Sequence, residues 1–248
     1  MELIIFDIIG KMAHFRKYYT NSSSLTYYFP PRTTIIGLIA GIIGFKRDSY
    51  YNIFSKEKTF LAFSIKSKIK KIIETVNYVK AVEISEINLS RREHTQIPIE
   101  IILPLDLNDL IRYRIYFYHN DKDIYMKLLE SVKENKIIYP PYLGISEFLA
   151  KVEFIDVVKP EILKNKKVII DSVINLDYIK NGKLIQRDGS VYIKERMPYD
   201  FDQDRKLKET PKDFIIELNN GKVEVELEDD LEYLLINYRL GTENILFM

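Results

Sequence analysis

The chain opens with an unbroken apolar run, ELIIFDI (2–8), closed by Gly10. A run this short, with no polar alternation, reads as a strand buried on both faces. A polar loop follows, and PPRTT then starts a helix: Pro31 suits a helix entrance, and Thr33 or Thr34 offers a capping oxygen. IIGLIAGIIG reads as a close-packed apolar helix. Its Gly37 and Gly41 are four apart on one face, where another backbone can approach, and Gly44 ends it. TFLAFSIKSKI (59–69) and IIETVNYVKAVEI (72–84) read as strands of a long hairpin, and the polar stretch SEINLSRREHTQ leads into strand-like IPIEIILPL. IRYRIYFYH (111–119) alternates as a strand does. DKDIYMKLLESVKEN (121–135) is an amphipathic helix with apolar residues at 124, 128, 129 and 132. YPPYLGISEFLAKVEFIDVV gives a turn and another strand.

The resulting order is strand, helix, strand, insertion, strand, helix, strand, which is the split βαβ or ferredoxin-like arrangement of an α+β fold. It ends near residue 158. The remainder, 159–248, has strand candidates at 167–176, 190–196, 213–218 and 222–227, with NNGK (219–222) as a hairpin turn. It reads as a smaller, mostly β lobe packed on the first, since neither a repeat nor a low-complexity linker separates them.

Composition narrows the class without naming a function. The 248 residues are 46% hydrophobic and 29% charged, with a net charge of +1, an ordinary globular balance. The absence of cysteine excludes disulfides and thiolate chemistry and is compatible with a cytoplasmic location. The start lacks a signal peptide's basic region and cleavage site. The most apolar window, 33–45, falls short of the roughly 20 residues a bilayer span needs, so no membrane association is expected.

Local charge changes the picture. Between Ile8 and Lys80 there are 13 Lys/Arg against three acids, a balance of +10, whereas residues 81–248 carry −7. Such asymmetry points to a polyanion-facing surface at one end, with a merely solvated lysine face as the competing reading for residues 56–80. The segment 13–37 holds six aromatics and three Arg/Lys but no carboxylate. Single-stranded RNA is held by cations on its phosphates and rings under its bases, and His14, Arg16, Lys17, Tyr18, Tyr19, Tyr27, Tyr28 and Arg32 supply both. The helix start at Thr33 adds free N–H groups that favour phosphate. For the tyrosines the alternative is core packing. For Arg16 and Arg32 an ion pair is weakened by the lack of a sequence-adjacent acid. A second basic cluster, SRREHTQ, places Arg91, Arg92, His94 and Gln96 on a protruding arm, with an ordinary exposed tip as its alternative. Arg196 in KERMP is a third candidate.

Other chemistries find no motif. His14, His94 and His119 sit in separate segments, outside any HxH or HExxH pattern, so no metal site is expected. DFDQD (200–204) lacks the glycine and distal Glu of a calcium loop. The glycines of GLIAGIIG have the wrong spacing for a nucleotide cradle, and no cofactor is expected.

The segment FDIIGKMAHFRKYYTNSSSLTYYFPPRTTIIGLIAGIIG closely resembles the CRISPR-associated Cas-five family of RAMP proteins, most of all its type I-B branch. REHTQIPIEIIL, YPPYLGISEF and IKERMPYDFD follow in the family's order. The resemblance implies an RNA-recognition-like domain that holds the 5′ handle of the CRISPR RNA, with a β-hairpin thumb inserted at about 67–100. It also implies a cap on the filament of Cas-seven backbone subunits, contact with the large Cascade subunit, and target DNA met only indirectly. A glycine-rich loop is shortened here to YLGIS, with Gly144 alone.

A type I-C variant of the family cuts precursor CRISPR RNA without metal. Such cleavage needs a base, an acid and a cation, for which His14, Tyr27 and Lys68 or Lys70 are the candidates. No Lys-His pair like that variant's is present, so a non-catalytic RNA-binding subunit is the expectation. An endoribonuclease and a protein-only scaffold are the alternatives.

Overall fold

The structure, a computed structural model, describes every residue except Ser22, Val82, Ser85, Glu86, 88–93 and Asn220. In the first part of the chain the elements are β1 (Leu3–Gly10), β2 (Phe15–Arg16), β3 (Thr26–Tyr27), α1 (Arg32–Ile42), β4 (Thr59–Ile65), β5 (Ile69–Val79), β6 (His94–Pro104), β7 (Ile111–His119), α2 (Lys122–Lys133) and β8 (Ala150–Val158). Four of these strands form one antiparallel sheet in the order β4-β7-β1-β8. The helices α1 and α2 lie on one face of it. Ile4, Phe6 and Ile8 of β1 pack there with Ile35, Ile39 and Ala40 of α1 and with Leu128 and Val132 of α2.

The opposite face is covered as well. Leu3 and Ile5 pack with Tyr116 and Ile155, and with Ile236 and Ile245 from the end of the chain. Burial on both faces is why β1 reads as a continuous apolar run.

The rest is β9 (Glu161–Leu163), β10 (Lys167–Ile170), β11 (Ile174–Asn175), β12 (Ile179–Ile185), β13 (Tyr192–Met197), β14 (Lys212–Glu217), β15 (Val223–Leu227), β16 (Tyr233–Tyr238) and β17 (Gly241–Ile245). These strands make three small sheets, β10-β15-β12, β11-β14-β13 and β17-β16-β9. The molecule is mostly β, with two α-helices among the described residues.

Three local expectations are corrected. The strand 59–65 does not pair with the strand after it: β4 joins β7 in the central sheet, and the hairpin is β5 with β6. An apolar run such as TFLAFSI needs cover on both faces, which only the central sheet offers. NNGK does not close a hairpin, because β14 and β15 belong to different sheets and the chain crosses between them. Neither Thr33 nor Thr34 caps α1. The helix begins at Arg32, which puts both threonines inside the first turn, and the Pro31 carbonyl accepts from the amides of Thr34 and Ile35. Helix α2 does carry a side-chain cap, from Asp121.

Candidate functional site

The 13–28 segment is tied down along the hairpin. Ala13 and Ile102 exchange backbone bonds, and Ser24 donates to Pro98 while accepting from Glu100. His14 is buried beneath. Its Nδ1 donates to the Glu100 carbonyl at 2.7 Å, which leaves Nε2 to accept from the Ser24 hydroxyl at 2.9 Å. Burial holds its pKa below the ordinary 6.5, so the ring is neutral. Tyr27 is buried too and donates its hydroxyl to the Arg196 carbonyl, joining this segment to β13. Tyr28 is half-buried, with the Lys71 ammonium 4.0 Å from its ring centre. Lys17 pairs at 2.6 Å with the buried Glu195. Burial works against its charge, but that carboxylate outweighs burial and raises its pKa.

Arg32 differs most from the sequence expectation. Only 2% exposed, it donates to the carbonyls of Phe54 and Thr59 at 3.2 Å and faces Asp200 at 3.5 Å and the Tyr199 ring at 5.4 Å. The acid missing from its neighbourhood in sequence arrives from the segment that follows β13. It is a structural cation and presents nothing to a ligand.

Arg16, Tyr18, Tyr19 and Arg196 are exposed, with Tyr18 and Tyr19 edge to face at 5.2 Å. His94 and Gln96 lie exposed at the far end of β6. Arg91 and Arg92 lie outside the described residues.

At the mouth of α1 the helix start at Thr33 and the Gly37/Gly41 face, both marked in the sequence, meet Tyr50, Tyr51, Arg47 and Arg205, which were not among the candidate residues. Thr33, Thr34, Gly37 and Gly41 form the floor of an open cleft of about 610 Å³. One wall is Phe45, Tyr50 and Tyr51, the other Tyr139 to Tyr142, and Arg47 and Arg205 stand at its rim. A Cβ at Gly37 would sit 2.9 Å from the Tyr50 hydroxyl, so the glycine keeps the floor flat. The second wall is anchored at both ends: Ile138 and Tyr139 donate to the carbonyls of Ile42 and Gly41, and Leu143 accepts from the amide of His14. Gly144, at φ +96°, lets this loop pass the His14 carbonyl, where a Cβ would fall 1.8 Å from the oxygen. Asp48 sits beside Arg47 and accepts from Tyr51. Burial raises the pKa of Tyr50, and of Tyr51 with help from Asp48, so both hydroxyls stay neutral donors. Flat rings, a helix N-terminus and rim guanidiniums suit an unstacked base with its phosphate.

The back of the central sheet is closed to such a ligand. Asp7, fully buried, accepts from Arg114 and Arg112, while Glu243 of β17 accepts from Lys66, Tyr116 and Tyr238. Among the described residues no His/Asp/Glu group has metal-site geometry, and no helix is long and apolar enough to cross a membrane.

Residues 3–103 match the sequence model of a family described as CRISPR-associated protein (Cas_Cas5). No curated protein matches in sequence. Among solved structures, a CRISPR protein from Archaeoglobus fulgidus superposes with a TM-score of 0.57 at 14% identity, covering 99% of both chains. A chain of a Type III-B Cmr-beta complex bound to cognate target RNA and AMPPnP gives 0.50 at 12% identity, over 89% of this chain and 86% of that one. A chain of a CRISPR RNA-guided surveillance complex gives 0.48 at 12% identity, over 90% and 91%. The matched stretch contains β1, the tied 13–28 segment, α1 and the hairpin, and over these residues the chain is similar to the Cas5 family of CRISPR-associated proteins.

Proposed function

We propose that this protein is a non-catalytic, RNA-binding subunit of a CRISPR RNA-guided effector complex of type I, holding the 5′ handle of the guide in the cleft along α1. The single observation that carries the reading is that cleft, where a glycine floor, exposed tyrosines and two rim arginines meet at a helix N-terminus. On this reading the four-stranded unit with α1 and α2 is the family's ferredoxin-like RAMP domain, β5 and β6 are its thumb, and backbone and large subunits are the neighbours. The exposed Arg16, Tyr18 and Tyr19 extend the contact beyond the cleft. The Cmr-beta particle supports it by analogy, since a chain of that RNA-bound complex shares the fold.

Catalysis by His14 is disfavoured by its surroundings. Both ring nitrogens are engaged, and Tyr27, the companion candidate, donates inward to a backbone carbonyl. A general base needs hydrogen-bond reach to its substrate. Repeat RNA incubated with the protein in EDTA is expected to stay intact, and clean cleavage lost in His14→Ala would reverse this assignment. For binding, photo-crosslinking of thiouridine-substituted handle RNA in the assembled complex is expected to label Tyr139 or Tyr142. Labelling that avoids both the cleft and residues 16–19 contradicts it.

A further inference from the structure

The β5-β6 hairpin has one edge guarded and one open. Residues 13 and 24 lie against β6 near its root, but among the described residues no strand runs along the other side of β5. The pairing of β5 with β6 is unbroken over eleven positions, without bulge, and β5 (IKKIIETVNYV) contains no proline. Long, flat, apolar edges are what natural sheets otherwise blunt, and a two-stranded ribbon is marginal by itself.

The side chains say what kind of partner fits. Residues opposite each other in the register share a face. One face carries Lys71 and Glu100, turned toward the 13–28 segment, where Lys71 is held by the Thr26 carbonyl, Glu100 and Glu195. The other carries Ile72, Val76 and Tyr78 of β5 beside Ile97, Ile101 and Leu103 of β6. Tyr78 on this face is 51% exposed, and Ile73, which shares the Lys71 face, is 68% exposed. RNA asks for rings and cations, and beyond Lys70 at its root the Ile72 face of β5 holds aliphatic side chains, the carboxylate of Glu74 and a single ring, Tyr78. An added strand asks for free backbone groups and apolar alternation. From 66 to 80 there are five lysines against the single acid Glu74; Lys66 is held by Glu243 and Lys71 by Glu100 and Glu195, and Lys68 and Lys70 carry the positive charge at the root of β5.

We infer that the open edge of β5 receives an extended, acid-bearing segment of another protein chain as a third strand of the hairpin. The thumb is thereby a protein-docking element in addition to any contact with the guide. Hydrogen exchange of the full-length protein tests this in three states: alone, with handle RNA, and in the assembled complex. Amides in 70–79 are expected to exchange at least about tenfold more slowly in the complex and to be unchanged by RNA alone. Unchanged exchange in the complex overturns the inference, and equal protection by RNA alone assigns the ribbon to nucleic acid instead. Val76→Lys is expected to weaken assembly about tenfold while leaving affinity for handle RNA as it was. Val76→Ile is expected to assemble normally. Loss of RNA affinity with intact assembly contradicts the assignment, and loss of both in a folded Val76→Lys does so as well.

Discussion

Arg32 and Arg16 are the same side chain in one basic segment, and the structure gives them opposite work. Arg32 is enclosed by two carbonyls, Asp200 and the Tyr199 ring, and removing it orphans the two carbonyls and leaves the buried Asp200 with Lys208 alone as its cation. Breaking a buried pair costs about 3–5 kcal/mol, which for a chain of this size is a drop of roughly 6–20 °C in Tm. Calorimetry on Arg32→Ala is expected to show that loss, while Arg16→Ala melts as the wild type does and binds handle RNA more weakly. A wild-type Tm for Arg32→Ala would contradict the burial account. The sequence showed that both arginines lack a neighbouring acid, and there its information stopped, because Asp200 lies far along the chain, after β13. His14 and Tyr27 were misleading for the same reason: their partners Glu100 and Arg196 are distant in sequence.

At the scale of elements, α1 is defined by what its glycines leave uncovered. Its buried face holds Ile35, Ile36, Ile39 and Ala40, and its other face is the cleft floor under Tyr50, Tyr139 and Tyr142. Stacking on an aromatic ring contributes about 1–3 kcal/mol per base. Replacing Tyr139 and Tyr142 together by alanine is therefore expected to weaken handle RNA by roughly tenfold or more, with Tm unchanged because both rings are exposed. Fluorescence anisotropy reads the first and calorimetry the second. The helix, its glycine face and the amphipathic α2 were legible from periodicity, since burial at 3.6-residue spacing is a local property. The β4-β7 pairing was not, because nothing within TFLAFSI names the strand it joins. YLLINY and GTENI, which close the back of the sheet as β16 and β17, carry a strand signal on either side of Arg239 and Leu240 that is absent from the sequence-based strand candidates.

At the scale of the whole molecule, the last hairpin is latched to the first sheet by Glu243, which accepts from Lys66 at 2.8 Å, from Tyr238 at 2.6 Å and from Tyr116. Burial alone would raise its pKa, but the Lys66 charge and these bonds outweigh burial and hold it below the ordinary 4.5. A carboxyl whose pKa is depressed on folding contributes stability above its unfolded value and loses it as pH falls through the folded one. Denaturation midpoints of wild type and Glu243→Gln are accordingly expected to differ most near neutrality and to converge below about pH 4.5. A gap constant down to pH 3 contradicts the latch. The latch also closes the sheet's back face, which leaves the α1 side as the place proposed for the RNA.

The most direct test of that placement is the salt dependence of handle-RNA affinity in wild type and in Arg47→Ala/Arg205→Ala. Each phosphate contact on a single strand contributes about 0.7 to the slope of log affinity against log salt. If the cleft holds the handle, the double variant binds more weakly with a slope shallower by about 1.4. Wild-type affinity and slope in that variant would place the RNA elsewhere.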